Sequence, residues 1–264
     1  MTLKFAEGDR RLDRDLAEKK RLDQIVLERT PQYSRQQVQS WIMQGKIAVD
    51  GKVVTKPGTQ VAIDVPLQMN IEEPKFVGRA GFKLEKALDA FGVDVRDYVV
   101  LDAGLSTGGF TDCLLQRGAR KVYGIDVGHG QVHEKISSDP RVVVRERTNL
   151  REVRSVGEPV DLVTLDLSFI SLLKVMDAVT AVLKEDGELI TLIKPQFEAR
   201  RQDVGRGGII KDPAIHKEVI ERVTAGVVAC GFTLIGVVES PIEGTSGNKE
   251  FLAYFRRSAT GFPD

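Results

Sequence analysis

Four charged residues of this 264-residue chain fall where strands or helices would begin or end: Lys83, Asp166, Lys194 and Glu250. Lys83 sits at the start of a helical pattern. Asp166 closes the apolar run that begins at Val160, Lys194 closes the run at Glu188–Ile193 and is followed by Pro195, and Glu250 heads the last apolar run. Two lysines bracketed by two carboxylates suit the activation of a hydroxyl. An alcohol hydroxyl holds its proton far above neutrality and is a poor nucleophile. A lysine takes that proton only if its own pKa falls, through desolvation or a second ammonium nearby. The carboxylates would orient the acceptor, and positioning contributes further to lowering the barrier. Taken singly, each lysine reads as a surface cation; the shared placement at element ends is what argues for a site.

A second constellation would bring a cofactor to these groups. Val99-Val100-Leu101 is a buried-strand pattern, and Asp102-Ala103-Gly104-Leu105-Ser106-Thr107-Gly108-Gly109-Phe110 turns from it into a helix. Glycines let backbone approach a ligand closely, and a helix N-terminus favours negative groups. The next strand pattern ends at Asp126, placed to take the ribose hydroxyls of an adenosine. Such a loop is shared by NAD and S-adenosylmethionine (SAM) sites. Asp102, ahead of the first glycine, suits the cationic methionine end of SAM better than a pyrophosphate. A dinucleotide site and a ligand-free turn are the alternatives. An amino-group methyltransferase would carry Asn/Asp-Pro-Pro-aromatic after the fourth strand, where this chain has Leu165-Asp166-Leu167-Ser168-Phe169-Ile170. Cys113 and Cys230 lie in helical patterns and read as packing residues rather than nucleophiles.

The elements needed to position these groups alternate along the chain. Strand patterns at Tyr98–Asp102, Lys121–Asp126, Val142–Glu146, Val160–Leu167 and Glu188–Ile193 are separated by helical ones at Gly109–Arg117, Gln131–Ser137, Leu172–Lys184 and Ala214–Cys230, with Gly81–Phe91 in front. This predicts an α/β fold, a mostly parallel sheet with helices on both faces. Thr233–Glu239 and Phe251–Arg256 are expected to pair antiparallel at one edge, which is the Rossmann-like layout of SAM-dependent methyltransferases. Ligands bind such sheets beyond the strands' carboxyl ends, so Asp166 and Lys194 should be neighbours there.

Ahead of this lies a different pattern. Helical spacing follows Arg21, Ser34 and Gln37 form a capping-box signature, Ile47–Val54 flanks an Asp50-Gly51 hairpin turn, and Val61–Val65 reads as a strand. This is a small α+β module. Net charge over the chain is zero, yet Lys19–Gln60 holds eight Lys or Arg against three Asp or Glu. A local surplus of this kind marks a polyanion surface. Arg21, Arg35, Gln39, Lys46, Lys52 and Lys56 could line one face and contact phosphates, with Arg79 adding a cation next to the second unit. The pattern Arg-Leu-Asp…Ser-Arg…Gly-Lys-Ile-Ala-Val-Asp-Gly resembles the S-four-like RNA-binding domain. The expected layout is a charged extension (1–18), the RNA-binding module (19–68), a linker (69–77) and the methyltransferase domain (78–264).

The resemblance extends to the whole chain after about Lys19. Gly78–Leu84, Asp102–Asp112, Thr164–Ser171, Ile193–Glu198 and Gly207–Pro213 together look like the TlyA family, also called hemolysin A, which joins an S-four-like domain to an FtsJ/RrmJ-like methyltransferase domain. It implies 2'-O-methylation of cytidine in ribosomal RNA by a Lys-Asp-Lys-Glu tetrad, here Lys83, Asp166, Lys194 and Glu250. The cofactor set is expected at Asp102, Gly104, Ser106, Thr107, Gly108, Gly109, Phe110, Asp126 and Asn149. The expected partner is ribosomal RNA or a ribosomal subunit. The first twenty residues carry no assigned role.

Other residues and bulk features narrow the alternatives. His129 follows Asp126 and could touch an adenosine or serve a polar loop, while His133 and His216 read as helix-surface residues. Phe197–Ile210, with Arg200, Arg201 and Arg206, reads as a mobile basic loop beside Lys194, able to clamp phosphates. Three histidines without ligand spacing predict no metal. Two cysteines and no apolar leader or membrane-length run predict a reducing, cytoplasmic setting without a membrane, or an organelle if a transit peptide was removed. A non-catalytic RNA-binding protein and a membrane-lytic protein remain as other readings. Oligomeric state is not legible.

Overall fold

A computed structural model describes residues 18–31, 33–71, 74–244 and 247–258; most of the charged extension lies outside the described residues. The chain forms two compact units, residues 1–73 and 74–264.

In the first unit, β1 (Lys19–Arg21) leads into α1 (Leu22–Arg29), followed by α2 (Arg35–Met43). The Ser34 capping box forms: Gln37 N donates to Ser34 Oγ at 3.3 Å and Ser34 N donates to Gln37 Oε1 at 2.8 Å. β2 (Ile47–Val49) and β3 (Lys52–Val53) make the hairpin. Asp50 and Gly51, both at positive φ, supply the backbone twist that a two-residue hairpin turn needs. β4 (Gln60–Ala62) pairs with β1, not with the hairpin, and β5 (Leu67–Met69) pairs with β2. Leu22, Val26, Val38, Trp41, Ile42 and Ile47 form a separate small core, against which Ile71 also packs. Within the expected 69–77 linker, Met69 ends β5 and Phe76 packs in the second unit's core.

The second unit is a three-layer α/β/α sandwich. Its sheet contains β6 (Val99–Ala103), β7 (Lys121–Ile125), β8 (Val142–Arg145), β9 (Val160–Leu165), β10 (Leu183–Ile193), β11 (Phe232–Glu239) and β12 (Phe251–Arg257), in the order β11-β12-β10-β9-β6-β7-β8. β6 to β10 pair in parallel, and β12 inserts antiparallel between β10 and β11. The central strands are apolar on both faces, as a covered parallel sheet requires. Leu101, Val163, Leu165 and Phe255 face the layer of α6 (Met176–Val182) and α8 (Pro213–Ala229). Val100, Leu162, Ile190 and Tyr254 face α3 (Ala80–Phe91) and α4 (Gly109–Gln116).

Two helical expectations shrink. The Gln131–Ser137 pattern yields only one turn, α5 (Glu134–Ser137), with His133 accepting from Lys135 N as its cap. The Leu172–Lys184 pattern splits into a 3-10 turn at Leu172–Val175 and α6, and β10 begins at Leu183, five residues before the expected strand. His216 is buried, correcting its surface reading: its ring packs against Phe251 and Nε2 lies 3.1 Å from Ile210 O.

Candidate active site

The carboxyl ends of β9 and β10 and the start of β12 meet at one edge of the sheet. The last rung between β10 and β12 pairs Ile193 with Phe251, so Lys194 and Glu250 flank each other just beyond it. Asp166 leaves β9 with its N–H donated to Ala103 O of β6 at 3.0 Å. Parallel pairing of β9 with β10 brings Asp166 to Lys194, and antiparallel pairing of β12 with β10 brings Glu250 to the same place, although the three are far apart in sequence.

The four form two ion pairs. Lys83, from the first turn of α3, donates to Glu250 Oε2 at 2.5 Å, and both side chains are buried. Lys194 Nζ lies 2.6 Å from Asp166 Oδ1 and donates to Ser168 Oγ at 3.0 Å. Burying charges is tolerated only when each is compensated nearby, and here each lysine has its carboxylate. Phe197, at the β10 exit, places its ring 6.0 Å from Lys194 Nζ.

Glycines and polar side chains hold this edge in place. Gly104, at φ +87, leaves no room for a Cβ, which would strike the carbonyl of Asp166. Gly244 lies against the Glu250 carboxylate in the same way. Glu198 is buried and ties the exits of β9 and β10 together, accepting from Leu172 N at 2.7 Å and Ser171 Oγ at 2.9 Å. Asn248 clips the basic loop to this edge, accepting from Ile210 N and donating to Gly208 O, each at 3.0 Å. Phe197–Ile210 is therefore tied down at its far end, through a residue no motif had marked. Ser168 and Phe169 lie in the Thr164–Ser171 motif, Ser168 accepting from Lys194 and Phe169 packing its ring on Phe197.

A cavity of about 320 Å³ opens beside the Asp166–Lys194 pair. Of the expected cofactor residues, Gly104, Ser106, Asp126 and Asn149 line it, with Asp166 also on its wall. Asp126 accepts from Ser106 N and Gly128 N, each at 2.7 Å, which fixes the loop on which it sits. Asn149 caps the short turn Leu150–Glu152, accepting from Arg151 N.

Five expected cofactor residues sit elsewhere, for packing reasons. Asp102 is fully buried between two hydroxyls, Thr111 Oγ1 donating to it at 2.6 Å and Thr164 Oγ1 at 2.9 Å. Burial pushes its carboxyl up to about 6. Its side chain staples β6, α4 and β9 and does not reach the cavity wall. Gly108 abuts Ile136, Gly109 abuts the backbone of Gly78 and Gly81, and Phe110 is buried core. Thr107 lies against Gly78. His129 pairs with Glu146 at 2.7 Å and takes the polar-loop role. Burial pushes the Cys113 thiol up to about 12, which leaves it protonated and inert at neutral pH. No His, Cys, Asp or Glu cluster able to hold a metal occurs among the described residues, and none of their helices is long and apolar enough to cross a membrane.

In the first unit, Arg21 and Arg35 meet on Asp23, and Lys56 belongs to the turn beside them. Lys52 belongs to the other small sheet and Lys46 immediately precedes its strand β2, and Arg79 is exposed ahead of α3 in the second unit.

Residues 76–257 match the model of the FtsJ-like methyltransferase family, and residues 20–64 match the S4 domain. The chain is 41% identical over 244 residues to the 16S/23S rRNA (cytidine-2'-O)-methyltransferase TlyA of Mycobacterium tuberculosis, covering 91% of each protein. It is 40% identical to Hemolysin A of Brachyspira hyodysenteriae, covering 89% of this chain and 99% of that one. A solved structure of a candidate hemolysin from Streptococcus thermophilus superposes with a TM-score of 0.71 at 37% identity, covering 92% of this chain and 90% of that one.

Proposed function

The chain belongs to the FtsJ-like methyltransferase family and carries an S4 domain ahead of it, and from that premise we propose that it methylates a ribose 2'-hydroxyl of a cytidine in ribosomal RNA, using S-adenosylmethionine. The observation that carries this reading is the two lysine–carboxylate contacts at the strand ends, with Asp166 of one of them on the cavity wall. The substrate class follows from the M. tuberculosis relative, whose name states that reaction.

The cavity fits the cofactor. Its volume lies in the range of roughly 300–1,000 Å³ usual for small-molecule sites. Asp126 offers a carboxylate at the end of the second strand for ribose hydroxyls, and Gly104 keeps the floor free of side chain. When bound, the cofactor supplies an activated methyl group. Everything else falls to the chain. Lys194 would act as the neutral amine, its own proton already passed to solvent, and take the proton of the ribose hydroxyl as that oxygen captures the methyl group; Asp166 and Ser168 hold its Nζ in place. Lys83, held by Glu250, is a second positive charge at the same edge, favouring the hydroxyl as it loses its proton. Phe169 stands at the cavity rim at φ +64 and 88% exposed, its ring 4.8 Å from that of Phe197. Such a ring is suited to stack an unpaired base. Arg21, Arg35, Lys46, Lys52, Lys56 and Arg79 would bind backbone phosphate, which supplies affinity without reading sequence.

The test is transfer of labelled methyl from S-adenosylmethionine to rRNA, followed by mapping of the modified nucleoside. The label is expected on the 2'-oxygen of a cytidine and is expected to vanish in Asp166→Ala. Full activity of that variant would overturn the reading.

A further inference from the structure

Asp23 is fully buried, yet the side chains it holds reach solvent. It stands in the first turn of α1, where an acid is often found for the helix dipole alone. Its oxygens do more than that. Arg21 binds it with both prongs, Nε to Oδ1 and Nη2 to Oδ2, each at 2.9 Å. Gln39 Nε2 donates to Oδ2 at 2.9 Å, and Arg35 Nη2 reaches the same oxygen at 3.4 Å. Gln39 and Arg35 sit one turn apart on α2, so one carboxylate on α1 gathers groups from β1 and α2.

The turn after Lys56 completes the seat. Leu22 N donates to Thr59 O and Asp23 N to Pro57 O, bringing Gly58 against the Arg21 guanidinium. A Cβ on Gly58 would come within 3.3 Å of Nη1. Arg21 is thus held from both sides, while its side chain stays 41% exposed and that of Arg35 stays 58% exposed. Arg21 keeps the Asp23 carboxylate well below the usual range, so it is ionised at every physiological pH.

A buried acid on a basic face lowers the charge that attracts RNA. What it returns is order: two long side chains that would otherwise lose rotamer freedom on binding are already placed. We propose that Asp23 is the positioning residue that presets Arg21 and Arg35 as a pair of guanidinium donors for one RNA backbone phosphate. Arginine forks match phosphate geometry in a way that a loose positive charge does not. This rests on the RNA reading above.

The experiment is a salt series of binding of the full chain to transcribed 16S and 23S rRNA. Electrostatics alone predicts that Asp23→Asn, which removes a negative charge, binds RNA more tightly. The preset pair predicts the opposite: affinity lower by about 5–10-fold at physiological salt, and a salt slope smaller by about one phosphate contact. A purely structural acid would not change that slope. Binding by Asp23→Asn equal to or tighter than wild type overturns the proposal while leaving the RNA reading intact. Failure of wild type to bind rRNA at all overturns both. If Asp23→Asn does not fold, Arg21→Lys decides: it keeps the charge and loses the fork, so it is expected to bind several-fold more weakly, and unchanged affinity overturns the proposal.

Discussion

Both units bury carboxylates against cations, and they do it to opposite ends. In the N-terminal unit the acid is buried and its arginines are exposed, at 41% and 58% of their side-chain surface. At the strand ends of the second unit the lysine side chains are only 9% and 10% exposed, and their acids 3% and 14%. An anchored but wet guanidinium keeps its charge and offers spare donors, which suits a phosphate. A dry ammonium contacts only what the cavity admits, and lysine, unlike arginine, can give up its proton. The side of the pair that solvent reaches therefore separates holding a polyanion from moving a proton. Asp102 adds a third case, a buried carboxylate with hydroxyls for partners and no cation.

The strongest way to break this comparison is to remove one cation from each unit. Lys83→Met is expected to slow methyl transfer by about 10²–10⁴-fold, with S-adenosylmethionine affinity changed little. Arg35→Met is expected to raise the RNA concentration needed and leave the rate at saturating RNA unchanged. Steady-state kinetics over an RNA series checks both. If the two variants show the same kinetic defect, the distinction between wet and dry cations fails.

A smaller effect is expected from Gly104→Ala, which changes no charge. The new Cβ strikes the Asp166 carbonyl at a backbone angle that an L-residue adopts with strain. A loss of about 2–3 kcal/mol in stability is expected, with methyl transfer falling further than the melting temperature would explain. Wild-type activity in this variant would show that the Asp166 backbone position is not critical.

The smallest effect sharpens the third case. The folded-state pKa of Asp102 is about 6, above the ordinary 3.8, so the folded chain holds this proton more tightly than the unfolded one. Its contribution to stability is fully present below about pH 4 and is lost as pH rises through 6. Asp102→Asn removes that loss, and its stability relative to wild type should rise by on the order of 2 kcal/mol between pH 4 and 7, offset by any hydrogen bond the amide makes less well. Denaturant melts at several pH values test this; a difference that is flat with pH contradicts it.

What could be read from residue order was whatever local chemistry specifies. The Ser34–Gln37 box, the Asp50-Gly51 turn and the alternation that builds the parallel sheet all formed. Asp166 and Lys194 met because parallel strands align their carboxyl ends, a rule that needs no coordinates, whereas Glu250 met Lys83 through the antiparallel β12 and the start of α3. The glycine loop was less legible. Gly104 lines the cavity, whereas Gly108 and Gly109 are glycines because Ile136 and the Gly78–Gly81 backbone press on them. A ligand and a neighbouring helix demand the same residue type, so type alone does not separate them. Asp102 was drawn toward a cation by its position in the motif; Thr111 reaches it from α4, and Thr164 closes on it only once β9 lies beside β6. Glu198, Asn248 and Ser168 act through contacts of 26 to 38 residues' separation, which no local pattern records. Asp23 was visible in the Arg-Leu-Asp pattern, but its partners on α2 were not.

The most direct test of the account is single-turnover methylation of rRNA at saturating RNA and saturating S-adenosylmethionine, comparing Lys194→Ala with Arg21→Ala and mapping the product. The account predicts a 2'-O-methylated cytidine, formed at nearly the wild-type rate by Arg21→Ala and at least about 100-fold more slowly by Lys194→Ala. A wild-type rate in Lys194→Ala, or a methyl group found on a base, would contradict it.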